Sequence, residues 1–168
     1  MSSQELLALR MIHIVFGVFW AGSALFFAAV LQPRLQTLEP AVRGQVMAAL
    51  VPVMGPVLIG SAAITIVGGI TLALRMHWGN LDIYTDTGWG RAILVGLVAS
   101  IGAFSSGITT IVQANRMLGL GRAVAAGSAS PEEAGQMQRI GARLPRLARG
   151  TAVMVLVAIG AMASAEAL

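Results

Sequence analysis

Two short stretches concentrate the coordination chemistry available to this 168-residue chain: ALRMIHIVFGVFWAG at residues 8–22 and LALRMHWG at residues 72–79. Each sets an Arg, a Met and then a His at the edge of a long apolar run, and the chain contains no other histidine. Imidazole is the commonest metal ligand, and haem iron accepts His or Met at its axial positions. Thioether sulfur suits Cu(I), so Met1, Met11 and Met76 extend the donor set that His13 and His77 offer. Met11 and His13 are two residues apart and so point to different flanks of a helix. Arg10 and Arg75 could pair through forked guanidinium hydrogen bonds with an anionic group such as a haem propionate or a lipid phosphate. Cysteine is absent, which excludes thiolate sites and Cys nucleophiles. No nucleophile, base and orienting acid occur together, so hydrolytic and transferase chemistry has no constellation to use.

The elements that must position these residues follow from composition. With 57% hydrophobic and only 11% charged residues, the chain cannot build an aqueous surface. It reads as an all-α integral membrane protein, an antiparallel four-helix bundle forming one domain over residues 1–168. Four apolar runs, at about 11–31, 53–74, 92–112 and 150–168, each match the roughly 20 residues that cross a hydrocarbon core. The N-terminal run is too long, and its start too acidic, for a signal peptide, so it is expected to be retained as the first helix. All 11 basic residues are Arg. Most lie between apolar runs where they flank a bilayer, so the basic balance gives no pointer to nucleic acid.

Eight of those arginines (34, 43, 116, 122, 139, 143, 146 and 149) belong to the first and third connections, against Arg10, Arg75 and Arg91 on the other side. The positive-inside bias therefore predicts an inner-membrane protein with both termini and the 77–91 loop outside. Trp78, Tyr84 and Trp89 in that loop suit an interfacial belt. Glu39-Pro40 predicts a helix start with Pro at its first position, bending near Pro52 and Pro56. Ser130-Pro131-Glu132-Glu133 predicts another, opening a short amphipathic segment at about 130–145 that lies on anionic lipid or a neighbouring helix.

Within the spans the polar residues are small. Ser61, Thr65 and Gly69 recur at four-residue intervals, as do Ser105, Thr109 and Gln113, and such stripes pack helices closely. A proton or ion path needs an ionisable group at mid-depth, which none of the four spans offers. The first two helices are antiparallel neighbours, so both histidines fall at the same end of the bundle. Taking Arg10 and Arg75 as markers of one level, His13 and His77 differ by about 7 Å in depth, which a tilt or one extra turn would close.

The stretch IHIVFGVFWAGSALFFAAVLQPRL, with a His, a Trp seven residues on, a Gly two beyond and a basic residue at the far end, resembles the first helix of membrane proteins related to the copper-resistance D (CopD) family and their small four-helix relatives. A Gly-rich second helix, a short outer loop, a third helix ending in QANRM and a basic connection before the fourth continue the likeness. The resemblance implies copper handling facing the periplasm, or a cytochrome b-like bundle, with His13 and Trp20 as matched positions and His77 matched by location. The first functional expectation is thus haem b, or copper, held near the outer face by His13 and His77 with Trp20, Arg10 and Arg75 around it and Met11 and Met76 as further metal donors. Such a protein would exchange electrons with a periplasmic or quinone partner. The alternatives are a ligand-free accessory subunit of a larger complex, and a copper or small-solute transporter whose conduit forms in an oligomer.

Overall fold

The structure, a computed structural model, describes residues 2–77, 79–165 and 167. Met1, counted among the thioethers, and Trp78, expected in the aromatic belt, lie outside the described residues. Helix α1 (Ser3–Phe26) continues through a π-turn (Phe27–Leu31) into the short α2 (Gln32–Gln36). Then come α3 (Pro40–Met76), the one-turn α4 (Ile83–Asp86), α5 (Gly88–Ala125) and α6 (Pro131–Ala165). Four segments, Ser3–Gln36 and helices α3, α5 and α6, are long and apolar enough to cross a membrane. The chain is an all-α bundle of multi-pass membrane type.

Local chemistry sets the helix starts. Ser2 and Glu5 exchange backbone and side-chain hydrogen bonds in a capping box, and Ser130 and Glu133 do the same before α6. Pro40 and Pro131 occupy first positions, where a missing N–H costs nothing. The amphipathic segment expected at 130–145 is not a separate element: α6 runs unbroken for 35 residues, because its capping box starts the helix early and Pro145 bends it without ending it. At 37 and 38 residues, α3 and α5 reach about 55 Å, well beyond a hydrocarbon core of roughly 30 Å. The excess projects at the end that carries most of the arginines, here called the arginine end; the opposite one is the histidine end.

Two hairpins make the bundle. Helices α5 and α6 pack most extensively, α1 packs on α3, and the hairpins join chiefly through α3 and α5. Trp20, Ala21, Ala62, Ala103 and Val155 form the buried core where all four long helices meet. Its residues are mostly small, as expected where helices in lipid gain by close approach of their backbones. Between the hairpin helices, Thr151 donates to Ser106 Oγ at 2.8 Å.

The helix irregularities cluster in depth. His13 lies against Gly68; counting sixteen residues on from His13 and sixteen back from Gly68 sets Ala29, inside the π-turn, opposite Pro52. On the other hairpin Gly141 faces Met117, so Pro145, four residues on, stands opposite Gln113, four residues back. Gly55 meeting Ile111 puts both hairpins in register. The π-turn has a direct cause: Pro33 cannot donate to the carbonyl of Ala29, and the turn widens until Gln32 bonds Phe27 instead. Pro52, Pro56 and Pro145 likewise remove ladder bonds, freeing the carbonyls of Ala48, Pro52 and Gly141. From this level to the arginine end the hairpins stand apart.

Candidate functional site

Helix α1 presents His13 to a notch in α3. Its Nδ1 lies 2.8 Å from the carbonyl oxygen of Thr65, so Nδ1–H donates to that oxygen. The ring occupies the space a side chain on Gly69 would fill: a Cβ there would stand 2.7 Å from Cε1 and 2.9 Å from Nδ1. One turn deeper, a Cβ on Gly17 would come within 3.3 Å of the Thr65 methyl. The stripe Ser61, Thr65 and Gly69 is therefore the α1–α3 seam. Its counterpart on α5 faces outward instead: Ser105 and Thr109 are exposed and donate back to Ile101 and Ser105, while Ser106, one residue on, makes the contact with α6.

His77 has different surroundings. It caps α3, its N–H bonding the carbonyl of Ala73, and its ring lies 4.7 Å from Trp89 and 6.1 Å from Tyr84, edge-on to the latter. The Tyr84 hydroxyl donates to the same Ala73 carbonyl at 2.7 Å, and burial raises its pKa. Helix α4 reaches this position by crossing directly over Gly90, where the Ile83 carbonyl and the Tyr84 Cα occupy the place of any Cβ. His77, Tyr84 and Trp89 form one aromatic cluster at the histidine end.

The structure does not bring the two imidazoles to one site. His77 lies nine residues beyond the Gly68 level of His13, about 14 Å along the helix, whereas two imidazole nitrogens on one metal stand about 4 Å apart. The sequence estimate of 7 Å took Arg10 and Arg75 as one level. The His13–Gly68 register instead sets Arg10 opposite Thr71, and both arginines are exposed with long stems that let their heads reach polar surroundings from different depths. Met11 and Met76, 52% and 41% exposed, lie on the outer surface of the bundle. Among the described residues no three His, Cys, Asp or Glu side chains gather as a metal site. Trp20 is 8% exposed, in the core, two turns from His13.

Sequence reasoning did not find a wide concavity in the bundle. Between the hairpins, from the level of Trp20 and Ala62 to the arginine end, runs a cleft of about 1150 Å³. Its walls are apolar, with Phe27, Met54, Phe104, Ile111 and Met137 among them. Gln32, Gln36, Gln45 and Gln138, with Arg43 and Arg122, add polar groups toward the arginine end. An apolar body with a few convergent polar groups is the make-up of small-molecule sites, and the gap between bundle helices is one of their usual places. The signal available in the sequence was the clustering of Pro33, Pro52, Pro56 and Pro145 within about 12 Å of depth, legible only once helix register is known.

No family model, curated protein or solved structure matches this chain.

Proposed function

We propose that this chain is a membrane-embedded binding protein for an amphiphilic molecule, whose apolar body fills the cleft and whose polar head meets the glutamines and arginines at its mouth. The cleft itself carries the reading: about 1150 Å³ of mainly apolar space, with prolines in three of its four walls. Carbonyls freed by those prolines are costly in lipid unless buried in protein or met by a donor. Those of Ala48 and Gly141, two residues that line the cleft, can accept from a ligand that carries N–H or O–H groups. The positive-inside bias orients the arginine end toward the cytoplasm, so the ligand enters from the cytoplasmic leaflet. Gly107 offers a clean test, because it lines the cleft and a Cβ there meets nothing within 4 Å. Parent protein purified in mild detergent should co-purify with an extractable amphiphile near one equivalent, and Gly107→Phe should lose most of it. Equal content in both, including none, contradicts the reading and favours a ligand-free accessory subunit.

One observation supports a second reading, the haem b or copper module implied by the CopD-like spacing of His13 and Trp20. Metal-bound histidines commonly donate their other ring N–H to a carbonyl, as His13 does to Thr65, leaving Nε2 basic. In this reading His13 ligates without His77, and the second axial position falls to another group. Soret absorption after haem addition, lost in His13→Ala and kept in His77→Ala, is the expected result. A protein that gains no such band disposes of it.

A further inference from the structure

A second concavity, of about 420 Å³, lies on the opposite side of the α5–α6 hairpin from the cleft. Arg116 of α5 and Arg139, Arg143 and Arg146 of α6 line it, and among the described residues no carboxylate does. The three α6 arginines follow one another at four- and three-residue spacing, so they share a face, and like charges so placed repel unless an anion sits among them. At its deeper end the groove is walled by Thr109, Ile140 and Leu147, so it grades from apolar to cationic along the bundle axis. That gradient matches a molecule lying across a membrane interface, chains inward and anion outward.

A second, independent feature points to the ligand. Gln113, on the same face of α5 between Thr109 and Arg116, has a buried Oε1 with no hydrogen-bond partner among the described residues. An unpaired buried acceptor is costly, and the arginines that line the same groove are exposed. What fits both features is an anion that also carries a donor. We propose that this groove binds a phosphate ester bearing a free hydroxyl: the phosphate is held by forked hydrogen bonds from Arg139, Arg143 and their neighbours, and Gln113, which lines the groove, turns its amide oxygen out of its unpaired buried position to accept from the hydroxyl. The head group of an anionic glycerophospholipid has this chemistry, and so does a soluble glycerol phosphate. The site is separate from the cleft and stands whether or not the cleft holds a ligand.

Native mass spectrometry of delipidated full-length protein, titrated with phosphatidylglycerol, phosphatidylmethanol or phosphatidylcholine, tests the assignment. Phosphatidylglycerol should bind more tightly than phosphatidylmethanol, which keeps the charge and lacks the hydroxyl, and both more tightly than phosphatidylcholine. The double variant Arg139→Gln/Arg143→Gln should weaken phosphatidylglycerol at least about tenfold, since charged hydrogen bonds of this type each exceed the 1.4 kcal/mol that a decade represents. Arg43→Gln/Arg122→Gln, at the mouth of the cleft, should leave it unchanged, and Gln113→Leu should erase the preference for phosphatidylglycerol over phosphatidylmethanol. Displacement of the lipid by glycerol phosphate would assign the site to a soluble ester, and lipid retention at saturating glycerol phosphate assigns it to the bilayer; either supports the site. Equal binding of the three lipids, or unchanged affinity in the Arg139/Arg143 variant with parental helicity and elution, overturns it.

Discussion

Adding a single methyl group at Gly69 tests how the histidine end is held together. The Cβ of Gly69→Ala would stand 2.7 Å from His13 Cε1, so the ring must move and its bond to the Thr65 carbonyl must break. Overpacking of this kind costs about 1–3 kcal/mol. The lost hydrogen bond adds about 0.6 kcal/mol, the mean for such bonds between membrane helices. Against these, Ala gains about 1 kcal/mol over Gly in a helix interior. The net expectation is a loss of about 0.5–2.5 kcal/mol. In a His13→Ala background the clash is gone, and the same methyl should stabilise by up to about 1 kcal/mol. The two substitutions are therefore coupled by about 1.5–3.5 kcal/mol. Reversible unfolding in mixed micelles of rising dodecyl sulfate fraction, followed by circular dichroism, measures all four corners of the cycle. Additivity within about 0.5 kcal/mol would show that His13 does not occupy the Gly69 notch and would refute the register built on it.

Other outcomes follow from the same geometry. The backbone N–H and hydroxyl of Ser130 hold the Glu133 carboxyl below its ordinary pKa; a carboxylate depressed on folding contributes stability above its unfolded pKa and loses it as pH falls through the lower folded value. Protection of the amides in the first turn of α6, measured against their intrinsic exchange rate at each pH, should therefore fall in acid, and Glu133→Gln should flatten that dependence; a turn equally protected at all pH values would exclude the cap. Because the chain has no cysteine, Ser130→Cys and Asn80→Cys report topology cleanly, with Asn80→Cys labelled by an impermeant maleimide from outside and Ser130→Cys only after permeabilisation. Reversal of the two inverts the proposed orientation. Pro145→Ala restores the ladder bond to the Gly141 carbonyl, so stability should rise by up to about 3 kcal/mol while the amphiphile carried by the cleft falls. A rise in stability with undiminished ligand would separate the proline from the cleft.

The architecture was legible in the sequence because four apolar runs and their flanking arginines obey constraints that lipid imposes without reference to tertiary contacts. Helix starts at Pro40 and Pro131 were equally local, written in capping residues and proline. Depth was not legible. Arg10 and Arg75 gave a false common level because long side chains reach the interface from different heights, and the resulting error halved the separation of His13 and His77. The choice between Ser105 and Ser106 as the contact with α6 depends on helix rotation, which two equivalent hydroxyls one residue apart do not settle. The cleft needed register between all four helices before its prolines could be seen to cluster. The Arg139–Arg143–Arg146 row was visible as charge, but its convergence with Arg116 on one groove depended on α6 running unbroken from Pro131 alongside α5.

Trp20 supplies the most direct probe of the proposed binding cleft, since it lies at the closed end. With Trp78→Phe and Trp89→Phe, its emission is the only indole signal, and a bromine on the terminal carbon of hexadecanoic acid quenches it on contact. Titration of that acid into the protein in detergent should give saturable quenching near one equivalent, and Gly107→Phe should abolish the saturable component. Quenching that rises linearly with added acid, to the same extent in the Gly107→Phe protein, would mean that the cleft holds no amphiphile.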